Sequence, residues 1–291
     1  MPLVSLAPLL ADAQARGYAV GAFSTIDLDL AQIIIEAAQA EEAPVVVALT
    51  AARASTVDLH ALAAAVRVRA ARTAIPVALH LDHGQTREVV DAAMDAGFTS
   101  VMFDGFGMPL AEKRRQTREV VEEAHRRGIT VEAEVGHIGR VEDLRAGGLP
   151  AADHLTEPEA AAAFARETGL DCLAVAIGNV HHLEPGQATL DLTRLQAIAR
   201  AAPCPLSLHG GSGVGDDALR AAIGAGIRKV SYFTRLARAG VSAIERRLAE
   251  APATLVDVLG AAHQAIRADV VDRIRVLGCA RQAQVGRGRE G

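Results

Sequence analysis

Eight short apolar runs, each followed by a longer stretch of helical spacing, constrain this chain more than any other feature. The runs are "AVGAF" (19–23), "VVVAL" (45–49), "VALHL" (77–81), "SVMF" (100–103), "TVEAEV" (130–135), "CLAVAI" (172–177), "LSLH" (206–209) and "RKVSYF" (228–233). Runs that are apolar at successive positions suit strands buried on both faces. Between them, "DLAQIIIEAAQAEE", "TREVVDAAMDAG" and "TRLQAIARAA" repeat apolar residues three and four apart, and Gly97, Gly128, Gly169, Pro203 and Gly226 stop several of these stretches. Unbroken strand–helix alternation predicts an α/β fold, a (β/α)8 TIM barrel with short helical additions at both ends. A doubly wound open sheet has similar local signals. The placement of the polar residues favours the barrel. One domain is expected over 1–278, with 251–278 an added helix and 279–291 a flexible tail.

Composition excludes several classes of function. Of the 291 residues, half are hydrophobic and 3% aromatic, and the net charge is −5. That balance argues against nucleic acid or an anionic membrane as partner. No apolar run approaches the length of a membrane span, and "MPLVSLAPLLADAQ" reads as an amphipathic helix, with no basic residues ahead of it. Cys172, Cys204 and Cys279 form no CxxC pair, which suits a reducing, cytoplasmic compartment.

The chemistry-bearing side chains fall at strand ends. Asp82 and His83 follow the third run, Glu132 and Glu134 close the fifth, His181 and His182 follow the sixth, and His209 ends the seventh. In a barrel these positions share the C-terminal mouth, where active sites form. Side chains alternate along a strand, so Glu132 and Glu134 share a face and should point together into the mouth. His83, Glu134, His181 and His209 form the candidate metal set, because three histidines around a divalent ion with an open position is a common catalytic arrangement. His80 lies deeper and is expected to hydrogen-bond behind that set. His60, His125, His137, His154 and His263 fall on helices or loops and are read as ordinary surface or packing residues. "HGGSGVGDD" (209–217) is a glycine turn running into a helix, which suits an anion.

With these motifs in place, "HLDHG", "VEAEVGHIGRVED", "AVAIGNVHH" and "LHGGSG" resemble the zinc-dependent class II aldolases that cleave fructose or tagatose bisphosphate. The resemblance covers most of the chain. It implies reversible aldol cleavage of a ketose or ketose phosphate through a zinc-stabilised enediolate, in a carbon–carbon lyase of carbohydrate metabolism. It implies His83, His181 and His209 as ligands of one catalytic Zn2+, with Glu134 an additional or alternative ligand and room for a second metal or monovalent cation. It further implies Asp82 as the acid/base and Glu142, in the loop after the fifth strand, as a proton-transfer partner. Gly210, Gly211, Ser212 and Thr234 would line the phosphate pocket of the ketone half. A homodimer or homotetramer is the expected assembly.

The chain departs from the family's pattern in that pocket. His182 stands where the family has glycine, Ser24 where it has asparagine near the end of strand one, and Arg140 where it has glycine. Ser231-Tyr232-Phe233-Thr234, followed by Arg235, replaces an Asn-x-(Asp/Ala)-Thr segment. These changes predict a substrate other than fructose 1,6-bisphosphate, with either an unphosphorylated ketone half or a phosphate held by Arg140 or Arg235. Three alternatives compete. Lys229 shares parity with Ser231 and could form a Schiff base. A barrel metallohydrolase is disfavoured by the lack of histidine in the first strand. A non-catalytic barrel binding metal or sugar phosphate would not need Asp82 and Glu142.

Overall fold

Eight parallel strands close into one barrel in strict chain order. They are β1 (Val20–Ser24), β2 (Val45–Thr50), β3 (Val77–Gly84), β4 (Ser100–Phe103), β5 (Thr130–Val135), β6 (Cys172–Val175), β7 (Leu206–Leu208) and β8 (Ile227–Tyr232). The computed structural model describes residues 3–139, 154–184 and 186–283. Arg140 and Glu142, singled out from sequence, lie outside the described residues. Closure rests on the β1–β8 pairing, Val20 to Lys229 through Phe23 to Tyr232, and it excludes the open sheet.

Helix α1 (Leu6–Arg16) precedes the barrel. It sits at the N-terminal end, where Ala7 N–H donates to Thr130 Oγ1 at 2.9 Å and Val4 N–H to Val77 O at 2.9 Å, both at strand starts. The outer ring is α2 (Leu28–Ala40), α3 (Leu59–Ala71), α4 (Arg87–Ala96), α5 (Leu110–Arg126), α6 (Pro158–Thr168), α7 (Leu192–Ala201), α8 (Asp216–Gly224) and α9 (Thr234–Glu250). The added helix α10 (Leu255–Val276) packs on α9 and α2. Local chemistry sets these boundaries. Asp27, Asp58 and Asp191 each accept the N–H of a residue three along, starting α2, α3 and α7. Thr254 and Asp257 form a capping box on α10. Gly97 and Gly169 end α4 and α6 with φ of 95° and 70°, a left-handed conformation that glycine adopts without strain.

The helices cover the barrel with aliphatic side chains such as Ile34, Val66, Val90, Val120 and Leu195, all buried. Burial of each contributes about 1.5–3 kcal/mol. Inside the barrel the filling is unusually polar: His80, Glu132, Ser207 and Lys229 are fully buried. Among the described residues no helix is long and apolar enough to cross a membrane. The tail expected from 279 does not begin there. Cys279 is buried, and the N–H groups of Arg281 and Ala283 bond the carbonyls of Glu41 and Glu42 at 2.8 Å.

Candidate active site

Strand alternation alone would send the neighbours Asp82 and His83 to opposite faces. Instead the β3–β4 register shifts between Leu81 and Gly84, and His83 adopts φ of 57°. A bulge of this kind re-aims side chains. Both residues therefore line one cavity of about 280 Å³ at the C-terminal mouth. Ser24, Glu134, His181, His182, His209, Gly210, Ser212, Ser231 and Thr234 line it with them.

The candidate metal set resolves into two triads that share His83. Donor atoms of His83, His181 and His209 lie within 4.8 Å of one another, and so do those of His83, Asp104 and Glu134. Glu134 groups with His83 and Asp104, so the two triads overlap at His83. His83 Nε2 faces His209 Nδ1 at 3.1 Å. The other nitrogen of each ring is occupied by a carboxylate: His83 Nδ1 meets Asp104 Oδ2 at 3.0 Å, and His209 Nε2 meets Glu132 Oε1 at 2.8 Å. A carboxylate only accepts, so those outer nitrogens carry the N–H and the facing nitrogens present lone pairs. Two lone pairs at that distance call for a cation or a proton between them, and the donor chemistry fits a divalent metal.

Glu132 does not reach the mouth with Glu134 as expected. It sits one layer deeper and fully buried, where Lys229 Nζ meets Oε2 at 2.8 Å. Lys229 also donates to Ser231 Oγ at 3.3 Å. Burial alone would lower the Lys229 pKa, but Glu132 and Asp82 outweigh it and raise the pKa above the usual lysine value. A Schiff-base lysine must be neutral, so this pairing works against the lysine alternative. His80 hydrogen-bonds Ser100 Oγ at 2.8 Å, behind the site as expected, and burial next to Lys229 pushes its pKa down to about 3.

Asp82 belongs to neither triad. Its Oδ1 is buried without a hydrogen-bond partner, 3.8 Å from His209 Nδ1 and from His80 Nε2. Burial raises its pKa, yet His83, His209 and Lys229 outweigh that and hold the carboxyl ionised, below the ordinary range. Burial and the nearby Asp104 push Glu134 the other way, up. Burial and two neighbouring imidazoles keep His181 well below the usual histidine value.

The glycine turn after β7 has packing reasons of its own. A Cβ on Gly210 would lie 2.6 Å from Val180 O, and one on Gly211 would lie 2.4 Å from Val230 Cγ1. Gly211 does not line the cavity. Ser212 Oγ accepts the N–H groups of Phe233 at 3.4 Å and Arg235 at 3.2 Å, at the start of α9. The Arg235 guanidinium does not enter the cavity. Its Nε donates to Asp269 Oδ1 at 2.6 Å, and Asp272 stands 3.7 Å from Nη2, so it ties α9 to α10. Phe233, 37% exposed, lines the cavity wall instead.

Three contributors were not foreseen. Asp104 follows "SVMF" directly, at the same strand-end position that marked Asp82, so that signal was present. Asn179 accepts the Ile177 N–H at 2.8 Å and donates to His209 O at 3.1 Å, fixing the His209 backbone. Lys113, on α5, stands within electrostatic reach of Asp104 and Glu134 and carries no strand-end signal.

Comparison with known proteins agrees with this geometry. The family described as "Fructose-bisphosphate aldolase class-II" matches residues 4–282. The chain is 35% identical over 289 residues to the probable fructose-bisphosphate aldolase of Bacillus subtilis (strain 168), covering 97% of this chain and all of that one. It is 36% identical over 291 residues to the fructose-bisphosphate aldolase of Staphylococcus aureus (strain Mu50), covering 98% and 100%. The crystal structure of the YdjI aldolase from Escherichia coli K12 superposes with a TM-score of 0.85 at 28% identity, over 97% of this chain and 100% of that one. With a closed eightfold barrel, three facing imidazoles and a family match spanning nearly its whole length, the chain belongs to the class II fructose-bisphosphate aldolase family.

Proposed function

We propose that this aldolase cleaves a ketose reversibly, using a zinc ion held by His83, His181 and His209, with Asp82 as acid/base. The facing nitrogens of His83 and His209, 3.1 Å apart with Asp104 and Glu132 on their outer nitrogens, carry the reading. When bound, the metal would supply Lewis-acid charge to the oxygens of the ketone half. The chain's own residues do the rest. Asp104 and Glu132 orient the imidazoles from behind. Asp82, held ionised, takes the proton from the hydroxyl whose carbon becomes the aldehyde, and returns it in condensation. Glu142 is assigned proton transfer at the ketone carbon on resemblance alone. Ser24, His182, Gly210, Ser212, Ser231 and Thr234 surround the end of the cavity that would take the ketone half.

The Bacillus subtilis and Staphylococcus aureus relatives carry fructose bisphosphate in their names. A different ketose is proposed here, because Phe233 lines this end and Arg235 is committed to Asp269. An unphosphorylated, dihydroxyacetone-type ketone half fits that surface better than a dianion. Metal analysis of the purified protein, combined with a retro-aldol screen over phosphorylated and unphosphorylated ketoses, tests both statements. The expected result is stoichiometric zinc, lost together with activity in His209→Ala. Full metal content in His209→Ala would remove the ligand assignment. Cleavage of fructose bisphosphate at kcat/KM of about 10⁴ M⁻¹s⁻¹ or more, within the ordinary enzyme range, would remove the substrate proposal.

A further inference from the structure

The loop after β6 holds a residue in a conformation that its side chain does not favour. His182 has φ of 66°. Of the four non-glycine residues with positive φ among the described residues, only His83 and His182 line the cavity at the mouth. Residues other than glycine take this conformation at a cost, and keep it where the surroundings over-determine it. They do so here. Val180 and Leu183 both rest on the glycine turn after β7: an added Cβ would lie 2.6 Å from Val180 O at Gly210 and 2.7 Å from Leu183 Cβ at Gly213. Next to them, His181 N–H donates to Gly139 O at 2.9 Å, and Glu184 pairs with Arg238 on α9.

These contacts bracket His182 and set it beside the Gly210–Gly213 turn. It is exposed, lines the cavity with Gly210 and Ser212, and belongs to neither donor triad. Its ring centroid lies 6.3 Å from that of His181, against 5.0 Å between His181 and His83. The strained residue therefore shapes the wall proposed for the ketone half rather than the metal set. That wall is made of neutral groups. Ser24, Ser212, Ser231 and Thr234 stand on it, and among the described residues no lysine or arginine lines the cavity, whereas Asp82, Asp104 and Glu134 do. A dianion brought here would lose water beside carboxylates, at a high cost. Of the two nitrogens of an imidazole one can donate and one accept, as a hydroxyl does.

We propose that His182 is the specificity-determining residue for the ketone half. Its ring occupies the approach to the glycine turn, keeps a phosphate out of it, and offers its nitrogens to a hydroxyl instead. The ketone half that it selects is neutral, a hydroxyketone of the dihydroxyacetone type. The inference rests on the aldolase reading and deepens it by naming the residue that turns this site away from phosphate.

Condensation kinetics with the purified zinc enzyme test it, with glyceraldehyde as acceptor and dihydroxyacetone or its phosphate as donor. Wild type should prefer dihydroxyacetone. His182→Gly, which also relieves the backbone strain, should shift the donor preference toward the phosphate by about tenfold or more in kcat/KM, mainly through KM, the scale on which pocket shape discriminates. Asparagine tolerates the left-handed conformation, so His182→Asn should keep the loop and shift the preference the same way by less. A second readout does not depend on turnover: inorganic phosphate, titrated by calorimetry into the same zinc-loaded proteins, should bind His182→Gly about tenfold more tightly than wild type. Zinc content should match wild type in both variants. A wild-type preference for the phosphate, or a donor preference unmoved in both variants, overturns the proposal. A fall in phosphate affinity in His182→Gly overturns it as well, because the ring would then be a phosphate ligand. So does zinc loss in both variants, because His182 would then act through His181. Absence of turnover with every donor in wild type and variants overturns the aldolase reading, and the phosphate titration still decides whether the ring excludes phosphate.

Discussion

Glu132 and Lys229 meet at 2.8 Å inside the barrel, where neither side chain reaches solvent, and Glu132 turns its second oxygen to His209 Nε2. Breaking a buried pair leaves one charge uncompensated, at about 3–5 kcal/mol. Lys229→Met should therefore lower stability by roughly that much in urea unfolding. Glu132→Gln should do so too, and should also weaken zinc about 10–100-fold, since it loosens the orientation of the proposed ligand His209. In the double variant stability should partly recover while zinc affinity does not. An unchanged unfolding midpoint in Lys229→Met would show that the pair contributes nothing.

Zinc affinity should be steeply pH-dependent. Burial lowers the His83 pKa, but Asp82 and Asp104 outweigh it and raise it to about 9 in the metal-free site. The sign follows: below that value the ring holds a proton on the nitrogen that would bind metal, so affinity rises with pH until about 9. The gain should be about tenfold per unit between pH 6.5 and 8.5 from this group alone. A histidine with an ordinary pKa near 6.5 would give a flat curve there. Chelator competition across that range measures it, and a flat curve would contradict the raised pKa.

Asp82→Asn should keep its metal and lose turnover by about 10²–10⁴-fold, the scale of general acid–base catalysis. The amide keeps the shape but cannot take a proton, and Asp82 belongs to neither donor triad. Metal analysis and steady-state kinetics on one preparation decide between the roles. Zinc loss matching the activity loss would make Asp82 a ligand.

How far the site was legible depends on backbone regularity. His209, directly after β7, could be placed by counting from a strand end, whereas His181 stands six residues past Val175, the last residue of β6. The joint inward placement of Asp82 and His83 comes from the β3 bulge, which a period-two pattern does not encode. Glu132 and Glu134 share a face as alternation requires, yet two residues along a strand rise about 6.6 Å. That step separates a buried ion pair from a rim carboxylate, and only the position of Lys229 shows which is which. Arg235 was misread for a similar reason. Its sequence neighbour Thr234 lines the cavity, while its guanidinium is claimed by Asp269 on α10, far away in the chain. The barrel itself was legible because its eight repeats reinforce one another, whereas each long-range pair stands alone.

The last prediction concerns how α10 is held. Arg273 on α10 is buried, and its Nη1 meets Asp216 Oδ1 at the start of α8 at 2.5 Å. The Arg273 hydrogen bond is the main reason that the Asp216 pKa falls below the usual aspartate value, against a smaller opposing effect of burial. A carboxyl with a depressed folded pKa stabilises the fold above its unfolded pKa of about 3.9 and stops doing so as pH falls through the folded value. Asp216→Asn should therefore lower Tm at pH 7 and match wild type in the most acid conditions in which both still fold. Asp272 also pairs with Arg273, at 2.5 Å, so the charge keeps one partner. The Asp216 side chain is also 41% exposed, so solvent screens the pair and the loss should be about 1 kcal/mol or less, or no more than about 2–4 °C in a chain of this size. Thermal scans of both proteins from pH 7 down to pH 3 test it. A difference that stays constant over that range would mean that Asp216 acts through packing or helix capping and not through its charge.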